Sequence, residues 1–156
     1  TASFAWVFIL VAWNLISRGT NVGLLMYDHI SWQDDSLTVR LFVVKNDQEG
    51  KEVAPKHVFA NPVKPWICPV LALAVYVFCS GPRRPGAKML VFGNEHAEDR
   101  FGHWLTMVTK VHAETMQAMG MQVHSIGTHS FRKGTATWLC VCVCVCLCVC
   151  VSVCVC

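Results

Sequence analysis

Charge is scarce in this chain. Charged residues make up 15% of its 156, against roughly 25% in an average soluble protein, and residues 139–156 carry none. The net charge of +3 is too small to name a partner. Acid is missing altogether from Val53 to Asn94, where Lys56, Lys64, Arg83, Arg84 and Lys88 stand unopposed. Such a stretch is most often a solvated surface, and it leans weakly toward a phosphate-rich partner. Paired Cys/His spacing is lacking too. His96, His103 and His112 belong to no HExxH motif, so zinc is not expected and they read as surface or satisfied core histidines. There is no Gly-rich phosphate loop, no Ser/His/Asp set and no dinucleotide fingerprint. Tyrosine occurs twice, as Tyr27 and Tyr76, each within an apolar run that suits a core residue.

Length allows one domain with a real core and not two. Residues 3–16, "SFAWVFILVAWNLI", are apolar but short of the roughly 20 residues a membrane span needs. They read as a helix buried on most sides. No basic region precedes this run and no small-residue cleavage site follows it, so a secretory signal is not expected. "SLTVRLFVV" and "EVAPKHVFA" alternate around the turn "KNDQEGK", a hairpin that the extended segment His29–Trp32 joins into a small antiparallel sheet. "VLALAVYVFCSG" reads as a buried helix with Pro69 near its first turn and Gly81 as its stop. From Glu98 to Met119 the pattern is helical, with Leu105, Val108, His112, Thr115 and Met119 on one face and Gly120 at the end. Thr128 is placed to cap a last helix. The class is mainly α (α+β): a helical domain over residues 1–138 with a small antiparallel sheet.

Residues 139–156 form a separate, low-complexity tail. Eight of the ten cysteines alternate there, mostly with valine, a spacing that fits no disulfide framework. Cys68 and Cys79 lie in an apolar run and read as small hydrophobes, which points to a reducing, intracellular compartment. A TG dinucleotide repeat encodes alternating Cys and Val, so genomic low-complexity sequence ranks above a sticky β-strand or a membrane anchor as the tail's origin.

Four polar residues stand where pattern alone would not put them. Arg18 directly follows the first helix. Lys45 opens the hairpin turn. His129 and Arg132, three positions apart at a helix start, share a face. Taken singly, each is ordinary: a helix-end arginine, a turn lysine, two solvated side chains. Together they are equipment for phosphoryl transfer without a metal. Arginines grip phosphate bidentately, and histidine and lysine handle protons.

The order of Arg, hairpin Lys and His-x-x-Arg resembles the tyrosine recombinases, or phage-type integrases. "AWNLISRGTNV", "VVKNDQEGK" and "GTHSFRKGTAT" are most similar to recombinases of eukaryotic mobile elements of the Crypton kind. The resemblance spans nearly all of residues 1–138. It implies catalytic roles for Arg18, Lys45, His129 and Arg132. The two arginines would share the phosphate, the lysine would protonate the leaving 5′ oxygen, and the histidine would assist proton transfer; Lys51 replaces Lys45 if the register slips. It implies no cofactor and no metal. The partner would be double-stranded DNA in the nucleus, bound by a homo-oligomer in an intact relative, with no membrane association.

Two departures stand out. Asn21 occupies a position where many relatives carry an acid. No tyrosine follows Arg132, where the family places its nucleophile, and the repeat begins at Leu139. The chain is therefore expected to be a C-terminally truncated catalytic domain that neither cuts nor joins DNA. A non-catalytic DNA-binding remnant is the alternative, and a small membrane-anchored protein ranks below both.

Overall fold

The computed structural model describes residues 2–41, 54–80 and 89–154, with side chains described through Cys142. Over these residues the chain forms α1 (Ala2–Leu15), α2 (Gly19–Gly23), β1 (Ile30–Gln33), β2 (Ser36–Val39), β3 (Lys56–Phe59), α3 (Pro69–Cys79), α4 (Ala97–Val111), α5 (Ala113–Ala118) and α6 (Thr128–Cys154). The expected class holds: mainly helical, with one small antiparallel sheet.

The first apolar run becomes the central helix. Phe4, Ala5, Val7, Phe8, Leu10, Val11, Ala12 and Leu15 of α1 are all buried, a stripe too wide for a surface helix. Around it the aromatic rings interlock. Phe8 stacks on Phe101 of α4 with centroids 4.6 Å apart, and Phe92 lies 5.2 Å from Phe8 and 5.7 Å from Phe4 and Tyr76. Burying each such side chain contributes about 1.5–3 kcal/mol. Phe92 arrives on a segment bound to the chain after α2: Val91 N–H donates to the Leu25 carbonyl, and Tyr27 N–H to that of Met89.

The sheet runs in the order β1-β2-β3, antiparallel throughout, with Ile30 opposite Val39 and Val39 opposite Lys56. Asp34 makes the tight β1–β2 turn at φ 52°, a left-handed conformation that aspartate tolerates. The expected turn between the other two strands, with Lys45 and Lys51, lies outside the described residues. Strand alternation puts Lys56 on the side of buried Val58, and His57 and Phe59 on the exposed side.

Four expectations change. α3 is not wholly buried: Pro69, Ala72, Leu73 and Tyr76 face the core while Leu71, Val75 and Phe78 are exposed. Cys68 is buried but is more than a small hydrophobe, since its Sγ caps α3 by accepting from Leu71 N–H and also accepts from Asn61 N–H; Cys79 is exposed. The helical run after Glu98 breaks at His112, whose ψ of 20° takes it out of the helix. The buried face of α4 is accordingly Ala97, Phe101, Leu105 and Thr109, and His112, Thr115 and Met119 are exposed. Gly120 ends this region at φ 77°, the left-handed stop its position suggested.

The last helix also begins one residue earlier than expected. Thr128 is already helical, and Gly127 takes the capping place, its N–H donating to Ser130 Oγ at 3.0 Å. The Cys/Val alternation does not make a strand, because α6 runs on to Cys154. A strand would need a neighbour for every N–H and C=O, whereas extending a helix already nucleated satisfies them within the chain. Among the described residues, no helix is long and apolar enough to cross a membrane.

Candidate functional site

Arg18 and Lys56 both lie at the end of α1. The helix closes in a Schellman arrangement: Ser17 N–H donates to the Ala12 carbonyl and Ile16 N–H to that of Trp13. The left-handed position, normally glycine, is Ile16 at φ 50°. A β-branched residue there is strained by about 1–2 kcal/mol, so the turn leading to Arg18 is held at a cost. Arg18 follows with extended backbone as the cap residue of α2 and is half-buried.

The Leu15 carbonyl, left over by this closure, accepts a hydrogen bond from Lys56 Nζ of β3. An ammonium at a helix C-terminus is favoured by the helix dipole. Burial, and then the positive charge of Arg132, hold the Lys56 pKa below the ordinary lysine value. The charge of one cation thus acts on the other across 76 positions of sequence. Glycine and aromatic contacts explain why α6 reaches this place. A Cβ on Gly134 would stand 3.5 Å from the Trp13 ring, so α6 lies close against α1 there. Phe131 packs its ring 5.6 Å from that of Phe101, and buried Thr135 donates to the Phe131 carbonyl. With Phe131 turned inward, His129, Arg132 and Lys133 are left exposed.

The recorded ion pairs among the described residues join His96 to Glu95 and Asp99, and none involves Arg18, Lys56 or Arg132. An acid from α4 stands beside the start of α2. Glu98 Oε1 stands 2.6 Å from where a Cβ on Gly19 would sit, so glycine at 19 leaves room for this carboxylate.

Arg132 lies within electrostatic reach of Lys56 at the end of α1, Arg18 emerges three residues after Leu15, and His129 lies on the same helix as Arg132, in its first turn. No hydrogen bond or ion pair links Arg18 directly to Arg132 among the described residues. Lys45 and Lys51 lie outside them. Tyr76 is 8% exposed and packed against Phe4 and Phe92, a core residue as expected, and Tyr27 is half-buried. Lys56 is the residue that sequence reasoning passed over. Its signal was the period of two in "KHVFA", which puts it beside Val58 on the core side.

A second concavity is apolar, lined by Ile9, Trp13, Phe59, Ile67, Pro69 and Trp138 among others, and offers no cation. Among the described residues, no cluster of three or more His, Cys, Asp or Glu could hold a metal ion. No protein-family model matches the chain, and no curated protein or solved structure matches it.

Proposed function

We propose that this chain grips the phosphodiester backbone of double-stranded DNA, as the phosphate-binding part of a strand-transfer site of the tyrosine-recombinase kind. The observation that carries the reading is that Lys56 Nζ reaches the carbonyl end of α1, three residues before Arg18, within electrostatic reach of Arg132, with no carboxylate among the described residues paired to any of the three. Like charges held together without a counter-charge are favoured by an anion that bridges them. Arg132 and Arg18 supply bidentate donors, and exposed His129 supplies a ring nitrogen that can hydrogen-bond a phosphate oxygen. DNA as substrate puts the protein in the nucleus, where mobile-element recombinases of the Crypton kind act as oligomers on their sites.

A second reading, DNA binding without chemistry, is favoured by where the two tyrosines of these residues sit: Tyr76 is packed in the core and Tyr27 is half-buried. Both readings share one test. Affinity of the full chain for a short duplex is measured from 50 to 200 mM salt, under reducing conditions. Binding is expected to be sequence-tolerant and to fall steeply with salt, by about 0.9 in log–log slope per phosphate neutralised. Arg132→Ala is expected to lower that slope by about one such unit. Salt-independent binding, or a slope indifferent to this substitution, overturns the assignment.

A further inference from the structure

We infer that the apolar cavity between α1, β3 and α6 binds a flat, uncharged aromatic ring that carries an amide-like edge, a hydrogen-bond donor beside an acceptor. The inference does not rest on the phosphate site, because none of that site's cations lines the cavity.

The cavity measures about 650 Å³, within the range of small-molecule sites. Three aromatic rings from three elements wall it: Trp13 of α1, Phe59 of β3 and Trp138 of α6. A Cβ on Gly134 would stand 3.5 Å from the Trp13 ring, so α6 touches α1 there, and Trp138 follows one helical turn later on the same face. Phe59 is 56% exposed and Trp138 57%, so both rings have surface left to cover. A flat aromatic ligand can lie against them in offset or edge-on contact, which stabilises it beyond area burial alone. No Lys, Arg, Asp or Glu is among the described lining residues. A charged ligand would lose hydration there without gaining a counter-charge.

Two carboxamides define the edge. Asn14 Nδ2 donates to the Leu10 carbonyl at 2.8 Å, and Asn61 Oδ1 accepts from Lys64 N–H at 3.0 Å. A main-chain carbonyl only accepts and a main-chain N–H only donates, so each amide's orientation is fixed. Asn14 Oδ1 and Asn61 Nδ2 are left without a recorded partner among the described residues. One is an acceptor and the other a donor, and both residues line the cavity. A lactam edge, N–H beside C=O, matches the pair, whereas a hydrocarbon would desolvate both without bonding either. Free heteroaromatic lactams carry such an edge, and so do the thymine and guanine bases of DNA.

The probe is carbostyril, a neutral two-ring aromatic lactam. N-methylcarbostyril keeps the rings and blocks the donor; octahydrocarbostyril keeps the edge and loses the flat rings. Equilibrium dialysis against the full chain, kept reduced, is expected to show carbostyril bound about two- to tenfold more tightly than its N-methyl derivative, and several-fold more tightly than the octahydro one. Asn14→Leu should abolish the first difference and Trp138→Ala the second. Phe78→Ala, exposed and outside the cavity, should change neither. Failure of carbostyril to bind, equal binding of either derivative, or indifference to both cavity substitutions overturns the inference. Competition then separates the two sources of ligand. Displacement of carbostyril by a short oligothymidylate, but not by an abasic strand of equal charge, assigns the cavity to a base of DNA; displacement by neither assigns it to a free ring. Equal displacement by both strands would put a phosphate in the cavity and overturn the inference, whatever the salt slope of duplex binding shows for the cationic site.

Discussion

A histidine that no functional pattern singles out is the clearest pH-sensitive group in the fold. His29 is 8% exposed, and its Nδ1 accepts a hydrogen bond from Met26 N–H at 3.3 Å, which requires the neutral ring. Burial lowers its pKa below the ordinary value of 6.5, more than the Asp28 charge raises it. The unfolded chain therefore binds the proton more readily than the folded one. Stability from this group is fully present above pH 6.5 and is lost as pH falls toward the depressed folded value. Chemical denaturation at pH 7.5 and 5.5 is expected to show the wild type weakening on acidification. His29→Asn, whose Oδ1 can replace Nδ1 as acceptor, should remove part of that difference. An identical pH dependence in the two proteins would show that His29 is not its source. At this scale the sequence was least informative, since His29 marked only the start of an extended segment and Lys56 only one member of a basic stretch.

Elements were more legible than contacts, and the reason is range. The buried run of α1, the antiparallel sheet and the Gly120 stop all follow from neighbours within one or two turns of chain. The face of α4 did not, because residues beyond His112 belong to another helix and pulled the apparent stripe away from Phe101 and Thr109. Lys45 could be proposed from motif order alone. The approach of Lys56 to Arg132, and of Glu98 to Gly19, depends on how β3, α4 and α6 dock on the end of α1, which no local pattern encodes. One local rule is broken there: isoleucine occupies the left-handed position that ends α1, in the turn leading to Arg18. Strain of this kind persists where surrounding structure fixes the backbone. Glycine has no such penalty, although its greater freedom when unfolded offsets part of the gain. Ile16→Gly is therefore expected to raise unfolding free energy by about 1 kcal/mol, read from urea denaturation. A lower free energy would mean that the partly exposed Ile16 side chain contributes more by packing than its backbone loses by strain.

At the scale of the whole molecule, the proposed phosphate site gathers groups that can stabilise charge, while the two tyrosines of these residues are one buried and one half-buried. Cations can stabilise the phosphoryl transition state. Cleavage of the family's kind also needs an oxygen nucleophile held in line with the phosphorus. Tyr76 is packed among Phe4 and Phe92, and Tyr27 lies in the chain that leads into β1. A homo-oligomer of these 156 residues has no other tyrosine to lend, and whatever cysteines the tail offers follow the His129–Arg132 turn on the same helix. The expected outcome is binding without a covalent step. Incubating the full chain with a nicked duplex that traps adducts, then separating the products by denaturing electrophoresis, should yield no DNA-linked protein band. A band abolished by Tyr27→Phe or Tyr76→Phe would identify a true nucleophile and overturn this expectation. A band that survives both substitutions and disappears on thiol alkylation would do the same in favour of a cysteine. If no band forms while Arg132→Ala lowers the salt slope of binding, phosphate binding by these 156 residues is separated from cleavage. Joining the tyrosine-bearing helix of an active recombinase after Trp138 would then test whether the cationic site can still support cleavage.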